Sequence, residues 1–317
     1  MTPGPSSSRV LVAWLLALLV AAPAAAEDRL NGFSLRPSSV ATGEILRGGP
    51  PRDGIPALDQ PSLSSAHEAD FGDEEWVIGI EWGGEARAYP IQILVWHELV
   101  NDTIAGRPIL VSYCPLCGTG MVFDRRLPSS AGEAPDRFGV SGLLYRSDML
   151  MYDRASESLW SQISAVAVTG KRMGERLELL RSTQERWGDW RIAHPETRVL
   201  SRETGFERSY GHQPYGDYAT TERLLFPARH DRRYHPKMRT LGLRVANGET
   251  RAYPAEELER QGMAVIEIFD GHEVRVSYDV ERKRFGVEAP PEVDVIEAYW
   301  FAWAAFHPET TVYEADR

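Results

Sequence analysis

The largely apolar run 76–82 and the run 86–89 flank Gly83-Gly84, which predicts a β-hairpin. After Pro90 the apolar residues of 91–101 fall at helical spacing, so a helix is predicted there with the proline set near its start. The run 109–113 is apolar and β-rich. Gly118, Gly120 and Met121-Val122-Phe123 then predict a turn and a returning strand. Further strands are expected within 139–152 and 159–168. Segment 184–193 returns to helical spacing and puts Trp187, Trp190 and His194 on one face, with Pro195 ending the helix. Segment 27–70, rich in Pro, Ser and Gly, reads as an extended lead-in, and 127–136 as an exposed loop.

The pattern also recurs. GIEWGGEARAYP (79–90) is echoed by GLRVANGETRAYP (242–254), and GRPILVSY (106–113) by GHEVRVSY (271–278). Trp187, Trp190 and His194-Pro195-Glu196-Thr197 are echoed by Trp300, Trp303 and His307-Pro308-Glu309-Thr310. These ordered matches predict an α+β fold: two unequal tandem copies of a mostly antiparallel, β-rich unit with short helices. The copies are expected at 73–202 and 237–317, joined by a linker at 203–236 and preceded by a lead-in at 27–72. The first copy carries about 52 extra residues after Ser112-Tyr113, covering 124–176. That insertion is expected to form one wall of any site near Tyr113.

Composition changes the picture little. With 43% hydrophobic and 26% charged residues the chain is an ordinary globular one. A net charge of -11 gives no phosphate-binding footprint, so nucleic acid is not an expected partner; an unknown protein or small molecule is. The first segment matters more. Residues 10–22 form an apolar run after Arg9, too short to span a bilayer, and Ala24-Ala25-Ala26 offers small residues for signal cleavage. Residues 1–26 are therefore expected to be a signal peptide. The protein would be periplasmic or secreted, with no stable membrane span after cleavage.

The chain has two cysteines, both in Cys114-Pro115-Leu116-Cys117-Gly118, immediately after a predicted strand. Aligning the copies sets Cys114 against Asp279 and Cys117 against Arg282, so the thiols are absent from the shared scaffold. Three readings fit this spacing. A thiol–disulfide oxidoreductase would need the first cysteine at a helix N-terminus, but Gly118-Thr119-Gly120 is poor helix material. A structural disulfide in a metal-free interaction module is the second. A metal knuckle, with Pro and Gly shaping a turn whose thiolates face one ion, is the third and preferred reading.

His97 is the expected third ligand, because the equivalent count in the second copy gives Gln261, missing where the cysteines are missing. Asp148, Met149 and Met151 are candidates for a fourth, with Asp124 a remote one. Trp160 and Gln162 are expected to support the ligands. Copper is placed ahead of zinc, possible redox or catalytic use being left open. Strand alternation sets Asp148 on one face and both methionines on the other. A carboxylate would favour a harder ion, thioethers copper. Glu98 and Asp102 read as solvated helix-face charges. His212, His230 and His235 read as exposed. His194 and its twin His307 read as structural helix-end residues.

Trp96-His97-Glu98-Leu99-Val100-Asn101-Asp102, YCPLCGTGMVFDR (113–125), SGLLYRSDMLMYDR (141–154) and SLWSQ (158–162) resemble the domain-of-unknown-function 3179 family over roughly 75–255. The resemblance implies a mostly bacterial, often exported protein in which these four stretches belong together. It transfers no ligand, substrate or catalytic role.

Overall fold

A computed structural model describes Met1 and residues 29–316 except 128, 130, 131, 133 and 230. The expected signal peptide and His230 lie outside the described residues. Among these, no helix is long and apolar enough to cross a membrane.

Five small sheets are arranged as a five-bladed β-propeller. The first blade holds the hairpin Trp76–Trp82 and Glu85–Pro90, flanked by Thr183–Arg186, Arg198–Leu200 and Leu63–Ser65. In the second, Leu99–Ile104, Arg107–Cys114 and Thr119–Asp124 form a meander, with Leu179–Leu180 and Leu58–Asp59 at its edges. The third is Phe138–Tyr145, Asp148–Asp153, Leu159–Ser161 and Val166–Ala167, edged by Ile45–Arg47. The fourth joins Arg239–Arg244, Thr250–Pro254, Asp294–Tyr299 and Thr311–Val312, and the fifth joins Val265–Phe269, His272–Asp279 and Arg284–Glu288.

The expected α+β pair of tandem copies is thereby corrected. The four described α-helices, α1 (Ile91–His97), α2 (Trp187–Ala193), α3 (Ala255–Gln261) and α4 (Trp300–Phe306), are short connectors between strands. The recurring motifs do not build two compact units, because they fall in different blades. The two RAYP hairpins lie in the first and fourth, the GRPILVSY and GHEVRVSY strands in the second and fifth. The lead-in is also more than a tether, since its strands Ile45–Arg47, Leu58–Asp59 and Leu63–Ser65 close edges of three blades. An unpaired sheet edge invites association with other chains, and covering it is a standard remedy.

Local packing explains why the recurring motifs look alike. Trp190 lies against the backbone of Gly79 and Trp303 against that of Gly242; a Cβ on either glycine would come within 2.4 Å and 2.2 Å of the indole. Each indole Nε1 donates to a threonine, Thr197 at 2.9 Å and Thr310 at 3.1 Å. His194 and His307 each stack on their tryptophan, with centroids 3.9 and 4.2 Å apart. Both histidines are therefore helix-end packing residues.

The helix after Pro90 stops at His97, four residues short of the predicted end. Glu98 adopts φ 58°, and Leu99 enters a strand paired with Arg107–Cys114. Cross-strand pairing and complete burial of Leu99 and Val100 outweigh the helical spacing.

Candidate metal centre

Arg107–Cys114 and Thr119–Asp124 pair in register, and the turn between them carries both cysteines. The Cys117 N–H donates to the Cys114 carbonyl at 3.1 Å, and the Cys117 carbonyl accepts from Tyr299 N–H at 2.8 Å and Thr119 Oγ1 at 3.2 Å. The knuckle is thus clamped between the second and fourth blades. Gly118 has φ 59°, and its absent Cβ would lie 2.7 Å from the Tyr299 ring. Gly118→Ala should therefore cost about 2 kcal/mol, from a left-handed backbone and a ring that must move. Urea unfolding measures this, and an unchanged midpoint would contradict the close approach.

The third blade brings Asp148. Its carboxylate and the two sulfurs lie within 4.8 Å of one another, and all three residues are buried at 1% exposure or less. The cysteines are unbridged. Asp148 Oδ2 accepts from Ile163 N–H at 3.1 Å, while Oδ1 has no hydrogen-bond partner. Among the described residues no Lys, Arg or His forms an ion pair with this carboxylate.

The turn that delivers Asp148 is strained. Arg146 and Ser147 both have positive φ, 54° and 65°, where Asn and Gly are usual. It is held from outside: Arg146 donates to the Ala305 carbonyl at 2.8 Å, Ser147 Oγ to that of Phe226 at 2.7 Å, and the Ser147 carbonyl accepts from Cys117 Sγ at 3.4 Å.

Electrostatics follow from burial. Desolvation pushes both thiols up, Asp148 to about 7 and Glu98 to about 8, the last helped by the neighbouring Asp148 charge. Glu98 is buried, not solvated, because its positive φ at the end of α1 turns the chain off the helix. It was invisible to a reading that extended the helix to 101. Asp102 is buried too and accepts from Tyr89 at 2.7 Å. Tyrosines complete the surroundings: Tyr113, Tyr215, Tyr218 and Tyr299 are all raised by burial, and the cysteines push each of them further up.

The other expected residues are not ligands of this cluster of three, though several pack around it. His97 is buried but is not in the cluster, because both ring nitrogens are engaged away from it. Nδ1 donates to the Pro56 carbonyl at 2.8 Å, so Nε2 accepts from Tyr210 at 2.6 Å. Met149 and Met151 pack in the same large apolar cluster as Trp160 and both cysteines. The Trp160 indole donates to Asp153 at 3.0 Å. Gln162 does support the knuckle, donating to Ser112 Oγ at 3.0 Å and to the Thr119 carbonyl at 3.1 Å. Asp124 pairs with Arg107 at 2.7 Å. His212 and His235 are exposed.

Segment 203–236 has little regular structure, yet Tyr215, Tyr218, Leu224 and Phe226 pack against the apolar cluster that contains both cysteines. It covers the centre.

The family model for a protein of unknown function, DUF3179, matches residues 52–289. No curated protein and no solved structure matches the chain.

Proposed function

The chain belongs to the DUF3179 family, and we propose that it is an exported protein that binds a metal ion through Cys114, Cys117 and Asp148. The observation that carries this reading is a carboxylate and two thiols, all buried, whose ligand atoms lie within 4.8 Å of one another with no cationic partner among the described residues. Three acidic groups without a cationic partner are costly in a dry interior, and a dication that replaces their protons removes that cost. Two thiolates and a carboxylate suit zinc better than copper, since a carboxylate oxygen is a harder ligand than the thioether copper would favour. Three protein ligands also leave room for a fourth from outside, as in catalytic zinc sites. Disulfide exchange is less well supported, because both sulfurs are buried and their thiolates disfavoured.

Metal analysis of protein purified from the periplasm, paired with free-thiol counting, tests the proposal. One zinc per chain with two reduced cysteines supports it. A permanent disulfide without metal ends it, and copper in place of zinc would reverse the assignment of the ion.

The pH dependence has a defined sign. Asp148 and Glu98 are raised above ordinary carboxylate values, so the metal-free fold holds protons that the unfolded chain has released. Their contribution to its stability is full below about pH 4 and is lost as pH rises through about 7 to 8. Zinc affinity moves the other way, by about tenfold per pH unit for each proton the ion displaces. Melting of chelator-stripped protein and zinc competition, both followed from pH 5 to 8, check the two slopes. Parallel slopes would refute the assignment.

A further inference from the structure

Beside the centre, a cleft of about 660 Å³ opens between α1 and the covering segment. Ile55 and Val95 give it an apolar floor, Tyr215 one wall, and Arg208 and Ser209 its rim. Ile55 and Tyr215 pack on the apolar cluster that holds the cysteines. The cleft is therefore adjacent to the proposed metal.

Its lining offers two donors without a strong acceptor, the Trp96 indole and the Arg208 guanidinium. Trp96 lines the cleft, and its buried Nε1 has no partner. The Arg208 guanidinium donates only to the carbonyl of its neighbour Glu207, at 3.0 Å, and pairs with no acid among the described residues. Buried donors left unpaired are rare and ask for an explanation. An acceptor-bearing ligand supplies one: a carboxylate can take two bonds from an arginine fork and another from the indole. The apolar floor calls for an apolar body. Glu207, the one acid lining the cleft, disfavours ligands of higher negative charge.

We propose that this cleft binds a small organic monocarboxylate. As the ligand site of the metal centre it rests on the function proposed above, whereas carboxylate binding itself does not.

Benzoate and its neutral isostere benzamide, titrated calorimetrically into the mature chain, test the idea. Benzoate is expected to bind at least tenfold more tightly. Arg208→Gln should abolish that preference, and Arg208 is exposed, so the variant should fold. Arg229→Gln, at a different cavity, should leave it intact. Equal binding of the two probes, or an unchanged preference in Arg208→Gln, overturns the proposal. Zinc-loaded and chelator-stripped samples separate the two readings. If no preparation takes up zinc, the metal assignment fails, and the Arg208 comparison still decides the cleft.

Discussion

If the chain binds zinc as proposed, Cys114→Ser and Cys117→Ser should each yield a folded protein without zinc, against one ion per wild-type chain. Serine is close to cysteine in size, so the knuckle and its bond to Tyr299 can persist while a thiolate ligand is gone. Structural zinc is bound with roughly 10–16 kcal/mol, and one ligand of a small set carries several of these, on the order of a thousandfold in affinity. Asp148→Asn should weaken binding strongly as well. His97→Gln should leave the metal content near wild type, because the imidazole is occupied by Pro56 and Tyr210. Elemental analysis after dialysis, with circular dichroism to confirm folding, reads all four variants. Equal metal in wild type and both cysteine variants would end the metal reading.

Trp303→Ala should be among the most destabilising single changes, at about 3–5 kcal/mol, a large share of a typical total of about 5–15. The indole is fully buried and lies on Gly242, which has no side chain to fill the space left behind. The substitution also removes the donor to Thr310 and the ring under His307. Trp190→Ala at the matching place on Gly79 should cost somewhat less, since that indole is not quite fully enclosed. Urea titration gives both values, and a loss below about 1 kcal/mol in Trp303→Ala would contradict the packing described.

Individual hairpins were legible in the sequence because alternation and turn chemistry act locally. Trp76–Trp82 with Glu85–Pro90, and the returning strand after the cysteines, appear where the pattern put them. The propeller was not legible, because its blades are closed by partners far away in the chain. Leu179–Leu180 pairs with Thr119–Asp124, and Ile45–Arg47 with Phe138–Tyr145, and no periodicity encodes such pairings. At the centre, Cys114 and Cys117 announced themselves by spacing, and Asp148 was among the residues expected to approach them. Glu98 was misjudged because one backbone angle takes it from a helix face to the interior. His97 was misjudged because its absence beside Gln261 correlates with that of the cysteines for a different reason: it anchors Tyr210 of the covering segment.

The shared stretch 52–289 is shorter than the physical object. A chain trimmed to it would lose Ile45–Arg47, an edge of the third blade, and with Asp294–Tyr299, α4 and Thr311–Val312 half the strands of the fourth. It would also lose Trp303 and Tyr299, leaving Gly242 bare and the cysteine turn without its clamp. Such a fragment should precipitate or be digested on expression. Family boundaries mark what relatives share in sequence; the unit that can be made and purified as a folded protein extends past them at both ends.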